Sequence, residues 1–208
     1  MTEYENEPIP GLPGRLPPGE RILWQGSPAW RALARTAFHT RIVAGYFLVL
    51  AVVALAGGSS VGFGMTAALG VAGVALLHLL AWASARTTIY TLTDRRLVLR
   101  IGIAVPKCIN LPLAMIGAVD LAPRADGHGD LALTLLGAPA LGYLALWPHA
   151  RPLKLARPQP MLRAVPDAGT VAALVARTCL AANPQGRIAA VDAPPRASLP
   201  TFAEAQAA

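Results

Sequence analysis

From Ile42 to Ala85 the chain contains no Asp, Glu, Lys or Arg. A soluble domain rarely holds so long an uncharged apolar run, because a folded surface needs polar groups facing water. Charge is scarce throughout, at 14% of residues, and the mean hydropathy is +0.48. Cysteine is scarce too. Cys108 and Cys179 stand far apart with no CxxC, which argues against a disulfide framework and a zinc site and leaves two buried thiols in a reducing compartment. No HExxH, phosphate-binding loop, dinucleotide fingerprint or carboxylate pair is present, and Ser59 and Ser60 have no acid or base nearby. The chain is therefore not expected to be an enzyme. The first 41 residues carry proline and acidic residues, not a basic end followed by an apolar run, so no signal peptide is expected. The net charge of +7 is scattered, without a recognition motif, so nucleic acid is not the expected partner.

What is there fits a membrane. A spanning helix needs about 20 apolar residues to cross a hydrocarbon core of about 30 Å. The uncharged run holds two such spans, Ile42–Ala56 and Met65–Ser84, with a turn at Gly57, Gly58, Ser59, Ser60, Gly62 and Gly64. Arg31, Arg35, Arg41, Arg86, Arg95 and Arg96 flank the pair and the turn has no charge. Both termini are then expected in the cytoplasm, with a multi-pass chain in the bacterial inner membrane. The basic remainder would sit near anionic lipid.

The expected organisation is an extended arm over 1–26, an interfacial helix over 27–41, the hairpin over 42–85, a β domain over 86–183 and a disordered tail over 184–208. Residues 1–20 are rich in proline and glycine and read as a solvated tail, or as a docking peptide anchored by Ile9, Leu12 and Leu16. In the 27–40 helix Ser27 suits a cap and Pro28 the first turn. Trp30, Leu33 and Phe38 share one side, opposite Arg31 and Arg35, and Trp24 stands just upstream. That predicts contact with the membrane surface; the alternative is a helix packed on the β domain. Strands are predicted in TTIYTLT, RLVLRIGI, VPKCINLP, IGAVDLA, LALTLL, YLALW, RPLKLARP and MLRAV. Residues 167–182 close the domain with Val171, Leu174, Val175 and Cys179 on one face. Residues 131–148 are also free of charge and compete as a third span, which the basic segment after them opposes.

The order of hairpin, YTLTDRRLVLRIG (Tyr90–Gly102), Leu111–Pro112 and IGAVDL (Ile116–Leu121) resembles the bacterial pleckstrin-homology-like family of small membrane proteins. The resemblance implies a fold class of membrane α plus β: a two-helix transmembrane hairpin, then a bent seven-stranded antiparallel sheet closed by a C-terminal helix. Pro10–Phe47, above all Leu23–Arg41 (LWQGSP…AFHTR), also resembles the photosynthetic-complex assembly proteins of purple bacteria. That implies a non-enzymatic factor that binds light-harvesting 1 or reaction-centre subunits, with no catalytic residues.

His78 is the sole histidine in the hairpin, and a polar residue at membrane depth is a functional candidate. Either it ligates the magnesium of a bacteriochlorophyll, transiently, or it bonds a neighbouring helix. Gly70 and Gly73 permit close helix approach within the hairpin, in a homodimer, or with an antenna helix. The cluster Asp126–Asp130 reads as a polar turn before a metal site. A competing function is a lipid-binding envelope module that reads headgroups with Arg95, Arg96 and Arg100.

Overall fold

The computed structural model describes residues 9–103, 105–137 and 141–183. The expected tail at 184–208 and the start of the arm lie outside them.

Two antiparallel sheets enclose one core. The first joins β1 (Ile22–Gly26), β2 (Ile89–Thr93), β3 (Arg96–Ile101) and β4 (Lys107–Pro112) in that order. A single 3-10 turn, Leu113–Met115, leads into β5 (Ile116–Pro123), which pairs with β6 (Gly129–Leu135) and then β7 (Met161–Val165). Tyr90, Leu92, Leu97, Leu99, Leu131, Leu133 and Leu162 fill the space between the sheets, inward at alternate strand positions. A C-terminal helix over Ala168–Ala182 closes the core with Val171, Val175 and Cys179. Cys179 is buried and Cys108 half-buried, with no disulfide between them. Burial raises the Cys179 thiol to about 11, so it stays protonated.

The extended arm is part of this domain. Its Ile22–Gly26 segment is strand β1, with Gly26 opposite Tyr90. Leu12 is buried and the Gln25 side chain donates to the Pro10 carbonyl at 2.8 Å, so the arm docks on its own sheet. Glu20 is held by a bidentate pair from Arg96, at 2.7 and 2.9 Å. The helices are thus inserted between the first and second strands, not set before the whole β domain.

Between β1 and β2 lie α1 (Trp30–Thr36), α2 (Thr40–Ala56) and α3 (Ser60–Thr87). Ala54 against Gly62, and Phe47 against Gly70, give α2 and α3 an antiparallel seam. The connecting turn is shorter than the glycines predict. It spans Gly57–Ser59, and Ser59 accepts from the Gly62 N–H at 3.1 Å, so Gly62 and Gly64 are helical. The cap overrides weak glycine propensity. By length and composition α3 is long and apolar enough to cross a membrane; α1 with α2, bent by 55°, passes the same test only when the pair is counted as one span. His39, at φ 51°, makes that bend.

Other strand predictions fail. Tyr143–Leu146 is a short helix, α4, and the helix over 168–182 is therefore α5. Residues 151–158 form no strand; a single bridge, Ala150 with Pro160, precedes β7. Neither run carries the alternation a half-buried strand requires. Within 131–148, residues up to Leu135 belong to β6 and Tyr143–Leu146 is α4, which excludes one helical span over this stretch.

Candidate functional site

The α1 helix is placed by its two ends. The Ala29 N–H donates to the Ala164 carbonyl at 2.9 Å, and Arg163 donates to the Thr36 carbonyl at 3.5 Å. Adjacent residues of β7 therefore satisfy an orphan donor and an orphan acceptor of one short helix. Ala29, not Ser27, is the cap position, and its side chain makes no capping bond. Ala164 sits at φ 50° in a bulge of β7, where its N–H bonds Asp130 at 2.8 Å. Ala32, Leu33, Ala34 and Phe38 then pack against Ala81 and Ala85 of α3 and against Ala164. Leu33 and Phe38, predicted as membrane contacts, are interior: α1 turns its apolar side to the junction between hairpin and domain.

The outward side of α1 carries Trp30, Arg31 and Arg35. Together with Thr40, Arg41 and Ala44 of α2 and Val74 and His78 of α3, these line an open groove of about 560 Å³. The Arg31 guanidinium lies over the Trp30 ring at 5.3 Å. Arg35 donates to the Arg31 carbonyl and approaches Asp126 at 3.4 Å, both side chains being 40% exposed. His78 donates its Nδ1 proton to the Val74 carbonyl at 2.8 Å, because a carbonyl only accepts. In the neutral ring Nε2 is then the acceptor. A second, apolar recess of about 540 Å³ runs up the α2–α3 seam past Phe47, Ala51, Ala67 and Gly70. Gly70 is needed there: a Cβ would lie 2.7 Å from that of Phe47. Gly73 meets nothing.

The remaining predicted contacts lie elsewhere. Trp24 of β1 packs partly on the core and faces Thr170 and Leu174 of α5. Arg95 and Arg96 follow β2 at its far end, about 17 Å of strand away from α3. Arg96 is also neutralised by Glu20, whose side chain is 2% exposed. Burial would raise the Glu20 carboxyl, but hydrogen bonds from Arg96 and Thr93 outweigh it and hold the group below its ordinary value. These two arginines do not join the groove. Among the described residues no group of three His, Cys, Asp or Glu could hold a metal, and Asp126–His128 is a turn with the His128 N–H on Asp126 at 3.2 Å.

A buried polar chain escaped the sequence reading. The Arg163 N–H donates to Tyr90 Oη at 3.1 Å, Tyr90 lies 2.8 Å from His149 Nδ1, and His149 Nε2 lies 3.1 Å from Thr88. Both ring nitrogens of His149 are satisfied if Tyr90 donates to Nδ1 and Nε2–H donates to Thr88. Burial, reinforced by Arg163, lowers His149 to about 3, so the ring is neutral. Burial raises Tyr90 well above its ordinary range.

A model of the bacterial PH domain family matches residues 39–178, which begin at the α1–α2 bend and end in α5. The chain belongs to the bacterial PH domain family. It is also 38% identical over 189 residues, covering 86% of this chain and 88% of the relative, to an uncharacterized 23.7 kDa protein in the puhA 5′ region of Rhodobacter capsulatus. No solved structure matches the chain.

Proposed function

We propose that this protein is a membrane-anchored, non-enzymatic assembly factor for the photosynthetic reaction centre and its core light-harvesting 1 antenna, of the kind called PuhB. The observation that carries the reading is the likeness to a protein of the puhA region, a photosynthetic context, over most of both chains. The helical hairpin supports it. Its outer faces are apolar and open, with Ile42 at 68% and Val71 at 72% exposure, as expected of helices that meet lipid or other spanning helices. Its base carries exposed Trp30, Trp82 and Trp147, with Arg86 over Trp82 at 5.4 Å, the amphipathic set that favours a headgroup layer.

In this reading α2 and α3 thread the inner membrane, the Gly57–Ser59 turn lies outside and the β domain lies in the cytoplasm. The spans offer a lateral surface to newly inserted antenna or reaction-centre helices, and the chain acts by binding. His78 stands about 27 Å along α3 from Ser60, close to the inner edge of a core of about 30 Å and not at its centre. Its tautomer would suit a magnesium ligand. The three guanidinium groups around it instead favour an anion. Pigment ligation by His78 is tested by His78→Leu, which should then lower antenna yield and pigment co-purification.

The function is tested by deleting the gene in its photosynthetic host. Membrane absorption spectra should lose core-antenna intensity while reaction-centre photochemistry persists. An unchanged spectrum refutes the proposal.

A further inference from the structure

The basic groove and the apolar seam share two wall residues, Ala44 and Val74. The two adjoin at those residues, and the chemistry of the combined recess changes along its length. We propose that this recess is a binding site for one anionic membrane phospholipid, with the phosphate at Arg31, Arg35 and Arg41 and one acyl chain along the α2–α3 seam. The inference rests on the membrane placement above and adds a partner of defined chemistry.

Charge selects the lower half of the occupant. Arg31, Arg35 and Arg41 line the groove and, among the described residues, no carboxylate does; Asp126 reaches one of the three from outside it. An anionic phosphodiester meets this surplus, and guanidinium groups suit phosphate by their forked donors. Trp30, stacked under Arg31, holds that charge at the depth where tryptophan settles among headgroups.

Shape selects the upper half. The seam is recessed because Ala44, Ala51, Ala67 and Gly70 are small. From His78 at the groove to Ala67 in the seam the path along α3 is about 16 Å, half of a core of about 30 Å. That is the reach of one acyl chain within one leaflet. A docked partner helix would use the seam and leave the arginines unanswered. A pigment, whose magnesium is neutralised by its macrocycle, would likewise leave the arginines without an anion. A phospholipid answers both halves at once.

The test uses the full-length protein, purified in mild detergent and reconstituted in nanodiscs of phosphatidylcholine with and without phosphatidylglycerol, with retained lipid read by native mass spectrometry. One phosphatidylglycerol should be retained in preference to phosphatidylcholine. Each of Arg31→Gln, Arg35→Gln and Arg41→Gln should weaken retention about fivefold. Ala67→Phe, which fills the seam, should also lower it, and Arg95→Gln at the far end should not. Circular dichroism of each variant confirms folding; the three arginines are exposed, so folding should persist. Equal retention of both lipids, or a triple arginine variant that retains phosphatidylglycerol as before, overturns the site while leaving the membrane reading intact. Displacement by millimolar inorganic phosphate overturns the acyl half. Co-purifying bacteriochlorophyll in place of lipid assigns the recess to pigment. A chain recovered without detergent removes the membrane reading itself.

Discussion

His149 is the residue on which acid should act first. Its ring is neutral and enclosed by Thr88 and Tyr90, and its pKa is lowered to about 3 from 6.5. Between those values the unfolded chain binds a proton that the folded chain refuses. Stability should therefore be full above pH 6.5 and fall as pH drops below it, by about 1.4 kcal/mol per unit from this group. Denaturant titration of the detergent-solubilised protein, followed by tryptophan fluorescence at pH 7.5 and 5.5, measures that loss. His149→Asn should flatten the dependence over this range, and an unchanged slope would assign it elsewhere. Half of this chain was legible in advance. Thr88 and Tyr90 are two apart in the β-rich run TTIYTLT, hence on one face of the strand predicted there, although Thr88 stands just before β2. His149 was not legible, since it lies 59 residues from Tyr90 and belongs to a loop with no periodicity.

At the scale of elements, the uncharged run predicted two packed helices, and α2 and α3 are there. Local chemistry moved their boundaries. Ser59 capped α3 earlier than the glycines implied, and His39 set the bend. The short apolar runs 143–147 and 151–158 misled for the opposite reason: they are too brief for period to separate strand, helix and loop. The seam between α2 and α3 depends on the Gly70–Phe47 approach. Gly70→Leu should overpack it and lower stability by about 1–3 kcal/mol, read as an earlier thermal transition in detergent. Gly73→Leu, which meets no neighbour, serves as the control and should shift the transition far less.

At the scale of the molecule, insertion of the hairpin between β1 and β2 brings both its ends to one place, beside the paired Gly26 and Tyr90. A sheet closed across that point keeps the β domain on a single side of any membrane the hairpin crosses. On the proposed topology a reporter enzyme fused after Ala182 should be active in the cytoplasm and silent in the periplasm, and so should one placed before Leu12, because the paired sheet puts both on one side. Opposite locations for the two fusions would be incompatible with β1 pairing to β2.

The sequence by itself determined the uncharged helical pair, the β-rich remainder, the closing helix and the basic flanks. Those follow from composition and local period, which act over a few residues. The candidate site was half visible: Trp30, Arg31, Arg35 and His78 were singled out, but as separate contacts. Only the tertiary structure joined them with Arg41 into one groove, turned Leu33 and Phe38 inward, removed Arg95 and Arg96 to the far end, and made an apparent arm the first strand. The physical reason is that β1 and α1 are placed by partners far away in the chain, Tyr90 and Ala164. Which side of a short helix is buried depends on what it packs against, not on its own pattern.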